Sequence, residues 1–198
     1  MIYNPEAHGS PALITGVDAI VSPPTLFVGH ETYRELCFYF SSMEIEFQVM
    51  GFVKKDEGNM FSLSDLVIPP HSAGSIHTEI DQDKFPGWLD ELEKAGKDIQ
   101  DLRFQGHSHG MLSAFFSPED IDTIRNAYGC DWMVSLVGNK TCDFKVRLDV
   151  FQPIPISLRI PLMVGQQTVS EEEAASWSQK LHTGHKATEK KFLWRKFT

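Results

Sequence analysis

Two histidines at i and i+2, His107 and His109, sit at the end of a strand-like segment. Side chains alternate along a strand with period two, so both imidazoles point to one side and can share a cation. A third donor must return from elsewhere in the chain. Seven residues after His109 comes Ser117-Pro118-Glu119-Asp120, which brings a carboxylate back in a first helical turn. Two imidazole nitrogens and one carboxylate oxygen suit zinc, which takes both donor types at ~2.0–2.1 Å. Three protein ligands leave a fourth position for water, the mark of a catalytic rather than a structural zinc. The same Ser-Pro-Glu-Asp run is also an ordinary helix start, with Ser as cap, Pro in the first turn and acids at the positive end of the dipole.

The elements that must position these residues follow from local pattern. His30 to Ser42 reads as a helix too apolar for a surface position. Glu44 to Lys55 reads as a strand, Asp56 to Asn59 as a turn and Phe61 to Pro69 as the returning strand. His71 to Lys84 is a long loop, and long loops are often functional. Pro86 to Ala95 is an amphipathic helix. Asp101 to His107 is the strand that ends in the histidine pair, Gly110 to Phe116 is a loop, and Ser117 opens a helix to about Tyr128. Trp132 to Val137, Cys142 to Phe151 and Ile154 to Val164 read as three successive strands. Ser170 and Glu173 form a capping box for a last helix. Strands with antiparallel hairpins and a few helices make an α/β (α+β) layered domain.

Composition excludes other chemistries. The chain has 198 residues, and 18 Lys+Arg against 27 Asp+Glu give a net charge of −9, which argues against nucleic acid as a partner. Cys37, Cys130 and Cys142 are scattered with no Cys-x-x-Cys, so neither a thiolate zinc site nor a thioredoxin-type pair is available locally. Scattered thiols and an N-terminus without a basic-then-apolar pattern fit a cytoplasmic protein. No apolar run approaches the ~20 residues of a transmembrane segment. The charge is uneven. Lys180 to Thr198 holds six Lys+Arg and one acid, a local +5, which leaves −14 for residues 1–179. That tail interleaves its cations with Phe192, Leu193, Trp194 and Phe197, and is expected to dock on its own domain or on a partner. His8 and His30 stand alone. His71 and His77 share the long loop and suit substrate contact, and His182 and His185 fall in the basic tail.

The motif His107-Ser108-His109, seven residues, Ser117-x-x-Asp120 resembles that of the JAB/MPN (JAMM) zinc metallopeptidases, whose signature is a Glu, then H-[ST]-H, seven residues and S-x-x-D. The element order from His30 to Val164 is also similar. The resemblance implies a cytidine-deaminase-like layered fold, with a mixed, mostly antiparallel sheet flanked by helices. It implies a peptidase domain over residues 30–165, an N-terminal extension (1–29), and a C-terminal helix and tail (166–198). His107, His109 and Asp120 become zinc ligands, Ser117 the oxyanion donor and an upstream Glu the base. In many family members that Glu lies three residues before a Gly, a register that puts Gln48 at its place before Gly51. In microbial and phage-type members, similar to this chain through VMGFVKKDEGN, SLSDLVIPP and HTEID, it lies five before, which selects Glu46. Glu44, on the same predicted strand face, remains open.

The implied activity is hydrolysis of a peptide or isopeptide bond in a protein or peptide substrate, ubiquitin-like proteins included. A metal-activated water would attack the carbonyl while the Glu acts as general base. The alternative is a non-catalytic scaffold module within a larger assembly.

Overall fold

The computed structural model describes residues 22–73, 78–127, 130–165 and 170–184. Eight strands form one mixed sheet: β1 (Thr25–Val28), β2 (Gln48–Lys55), β3 (Met60–Val67), β6 (Leu102–Ser108), β7 (Trp132–Gly138), β8 (Phe144–Val150), β9 (Ile156–Ile160) and β10 (Leu162–Val164). A separate small hairpin pairs β4 (His71–Ala73) with β5 (Thr78–Ile80). The helices are α1 (His30–Ser42), α2 (Phe85–Lys94), α3 (Pro118–Ala127) and α4 (Glu171–Gly184). In the large sheet β1–β10, β1–β3 and β6–β7 are parallel, and the other four ladders are antiparallel.

The strand order is β10-β1-β3-β2-β6-β7-β8-β9, so its two edges are consecutive in the chain with only Pro161 between them. A flat sheet of eight strands would separate its edges by ~34 Å, at ~4.8 Å per strand. One residue spans at most ~3.6 Å. The sheet must therefore curl until its edges meet at a corner, where the Leu26 N–H donates to the Pro161 carbonyl at 3.0 Å. Proline has no N–H to continue a ladder. This is why Ile154 to Val164, which reads as one strand, divides into β9 and β10 on opposite edges.

Helix α1 fills the inside of the curl. Its Leu36, Tyr39 and Phe40 are buried in the main core with Val49, Val53, Phe104, Val134 and Leu136. Its other side meets α4, where the Phe38 and Trp177 rings lie 6.4 Å apart. Met50 points to the opposite face of β2 from Val49, because successive side chains alternate. There Met50, Phe52 and Leu102 pack under Trp88, Leu89 and Leu92 of α2.

The sheet begins within the 1–29 segment that the sequence reading set apart as an extension, since β1 pairs on both sides. The core likewise takes in Trp177 and Leu181 from the segment read as helix and tail. The loop read over His71 to Lys84 contains the β4–β5 hairpin. Lys186 to Thr198, His8, His77 and His185 lie outside the described residues. No described helix is long and apolar enough to cross a membrane.

Candidate metal centre

Strand β6 alternates buried and half-buried along its length. Leu102, Phe104, Gly106 and Ser108 are the buried positions, and Arg103, Gln105 and His107 are the half-buried ones. His109 continues that second row just past the strand end. Its N–H donates to the Gly138 carbonyl at 2.8 Å, and the Lys140 N–H donates to the Gly110 carbonyl at 2.9 Å. The histidine pair is thus stitched to the turn between β7 and β8.

Asp120 returns from the first turn of α3. The Ser117 N–H donates to Asp120 Oδ2 at 2.7 Å, and the Asp120 N–H donates to Ser117 Oγ at 3.1 Å. This reciprocal cap satisfies helix-end donors and fixes the carboxylate's rotamer together. The helix-start and ligand readings of this run are therefore compatible. Ser117 Oγ is the acceptor in the second of these bonds.

The donor atoms converge. His107 Nε2 lies 3.2 Å from His109 Nε2 and 3.1 Å from Asp120 Oδ1, and His109 Nε2 lies 3.7 Å from Asp120 Oδ2. One ligand atom from each residue falls within 4.8 Å of the others, a group that could hold a metal ion. All three side chains are mostly buried. Burial, and then the neighbouring His107, push the His109 pKa down, against the opposing pull of Asp120 and the Ser113 carbonyl. Burial works to raise Asp120, but His107 and the Ser117 N–H outweigh it and hold the carboxyl at about 2. A deprotonated carboxylate and a neutral imidazole are the forms that bind a cation. The His109 ring also packs edge-on against Phe115 at 5.0 Å.

The upstream carboxylates separate. Strand β2 begins at Gln48, so Glu44 and Glu46 lie in the connection after α1 and not on a strand as their pattern suggests. Gln48 is the register partner of His107. The same pairing continues one step further, because Phe47 and Ser108 exchange bonds: Ser108 N–H to Phe47 O at 3.1 Å and Phe47 N–H to Ser108 Oγ at 3.2 Å. Half-buried Glu46 immediately precedes Phe47 at this junction. Glu44 is instead paired with Lys140 at 3.0 Å and is half exposed.

A cleft of about 890 Å³ runs along this face of the sheet, lined by Gln48, Gln105, Thr123, Phe85, Glu79 and Arg103 among others. Gln48 and Gln105 flank His107 in the sheet, and Thr123 lies one turn beyond Asp120. The loop that returns from His109 to Ser117 exposes Met111, Leu112 and Phe115. His71 is not at the surface. It is 3 % exposed, its Nδ1 donates to the Pro69 carbonyl at 2.8 Å and its Nε2 accepts from the Gln48 N–H at 3.5 Å. Both ring nitrogens are thus engaged by backbone groups, beside the start of β2. Sequence reasoning missed this and the Lys140–Glu44 pair, since both join segments far apart in the chain.

No family model matches the chain, and no curated protein does. Among solved structures, the chain is similar to the solution structure of protein DSY2949 from Desulfitobacterium hafniense. The TM-score is 0.51 at 12 % identity, over 76 % of this chain and 98 % of that one. At that identity the likeness concerns the fold alone.

Proposed function

We propose that this chain is a zinc-dependent hydrolase of peptide or isopeptide bonds, of the JAB/MPN kind, acting on a protein or peptide substrate. The observation that carries the reading is the convergence of donor atoms from three residues. With bonds of ~2.0–2.1 Å, tetrahedral zinc sets ligand–ligand edges of ~3.3 Å. His107 Nε2 lies 3.2 Å from His109 Nε2 and 3.1 Å from Asp120 Oδ1, both close to that edge, and the second Asp120 oxygen, Oδ2, lies 3.7 Å from His109 Nε2. An N₂O set of three protein ligands, which leaves a fourth position for water, is the donor chemistry of a catalytic site.

When bound, zinc supplies Lewis acidity and brings the pKa of a coordinated water toward ~7. Glu46 takes a proton from the attacking water and hands it to the leaving amine. Ser117 donates its hydroxyl proton toward the developing oxyanion, and loss of such a donor costs ~10²–10³ in rate. Phe115 borders the site through its contact with the His109 ring, and the cleft beyond Gln48 and Gln105 gives an extended substrate its path. Ubiquitin-like proteins are the substrate type this chemistry suggests.

The test is metal content. Protein purified without chelator should carry one zinc per chain, and Asp120→Ala should lose it while remaining folded. Folded wild type that takes up no zinc would sink this reading and favour a non-catalytic scaffold.

A further inference from the structure

The proposed hydrolysis uses no thiol, yet two of the three cysteines meet. Cys37 lies in the middle of α1 and Cys142 in the turn between β7 and β8, 105 residues later. The Cys142 thiol donates to the Cys37 carbonyl oxygen at 3.7 Å. Tyr33 stands one turn earlier on α1. Both cysteines are half-buried and in the free thiol form. Cys130 is not part of the pair, and its thiol donates to the Trp132 carbonyl at 3.2 Å.

The surroundings hold the turn that carries Cys142 against α1. Asn139 Oδ1 accepts from the N–H groups of Thr141 and Asp143 at 3.0 and 3.1 Å and from the Thr141 hydroxyl at 2.8 Å, which ties the turn. Cys142 has φ 58°, a left-handed conformation that a side chain adopts only when its neighbours impose it. Phe144, two residues on, packs edge-on against Tyr33 at 6.0 Å and against Phe40 at 5.1 Å, both on α1. The contact between the cysteines is therefore set by packing on either side of it.

From this geometry we infer that Cys37 and Cys142 are a redox-active pair that closes reversibly to an intramolecular disulfide. Cys37 is the attacking sulfur. The neighbouring Cys142 thiol holds its pKa down, burial opposes this, and Tyr33 adds to the lowering. The Cys37 thiol and burial push Cys142 up. The Cys37 thiolate attacks a low-molecular-weight disulfide such as oxidised glutathione, forming a mixed disulfide and releasing one glutathione thiolate. That thiolate takes the Cys142 proton. The Cys142 sulfur then attacks the Cys37 sulfur and expels the second glutathione. Two protein thiols are oxidised and one glutathione disulfide is reduced. The new bond ties α1 to the turn that follows Gly138, whose carbonyl receives the His109 N–H.

The test counts thiols on the full chain by mass spectrometry, with alkylation under denaturing conditions after incubation with oxidised glutathione. Expected is the loss of two of the three alkylatable thiols, a Cys37–Cys142 cross-linked peptide, Cys130 still alkylated, and full recovery with dithiothreitol. Three alkylatable thiols after incubation, or a bridge through Cys130, overturns the inference. In Cys142→Ser, Cys37 should instead accumulate one glutathione adduct. A variant that stays unmodified overturns the assignment of Cys37 as the attacking sulfur. Neither readout depends on metal or on hydrolysis.

Discussion

Glu46 is held differently from the three metal-site residues. His107 stands on β6 and His109 just past its end, and Asp120 is locked by a helix cap, whereas Glu46 lies in an irregular connection. It immediately precedes Phe47, which bonds to Ser108 between the two histidines. Its role is separable from metal binding. Glu46→Gln keeps the shape and removes the base, so it should retain zinc and lose ~10²–10⁴ in hydrolytic rate. Parallel zinc analysis and amide-hydrolysis assays check this, and an active Glu46→Gln would move the base elsewhere. His71 makes a pH prediction. Burial lowers its pKa, against the Pro69 hydrogen bond. The unfolded chain therefore takes up this proton from ~6.5 downward while the folded chain does not. Stability is full above ~6.5 and declines as pH falls toward the folded-state value. Because His109 is shifted the same way, the comparison is with His71→Gln. That variant should show a shallower loss of denaturation midpoint between neutral and acid pH than wild type.

At the scale of elements, the site depends on where β6 ends and on the turn that receives it. Gly138 closes β7 and gives its carbonyl to His109. A Cβ there would overlap the rings of Phe144 and Phe40. Gly138→Ala should therefore cost ~1–3 kcal/mol, by overpacking, and weaken zinc retention as well. Gly87, in α2, has open space around it, so Gly87→Ala is the matched control. Thermal melts with and without added zinc separate the two effects, and equal melts for both variants would refute the argument. Helix α3 was legible from Ser117, Pro118 and Asp120, because capping is a local device whose residues lie within one turn. The start of β2 was not. The pattern from Glu44 to Phe47 resembles a strand, but here the chain leaves α1 and joins β6 first at Phe47.

At the scale of the molecule, the curled sheet makes both ends of the described chain part of one core. Trp177 of α4 is nearly buried and lies against Phe38, and Lys180 reaches the buried Glu35 at 3.0 Å. Helix α4 therefore covers α1 and is not a loose appendage. Trp177→Ala should destabilise the fold by ~3–5 kcal/mol, measured by chemical denaturation. A change under ~1 kcal/mol would mean that α4 does not seal the core.

The sequence by itself determined the donor set, since His107, His109 and Asp120 are brought together by strand alternation, a short loop and a helix cap. These are rules that act within fourteen residues. It also determined a mixed α/β architecture and most strands. Tertiary structure decided the rest. It broke one apparent strand at Pro161 and sent its halves to opposite edges. It drew residues 25–28 and α4 into the core, pinned Glu44 to Lys140, buried His71, and placed Cys37 beside Cys142. Each of these joins segments distant along the chain. Their contacts arise from how the sheet curls and packs, which no local pattern of residue types encodes.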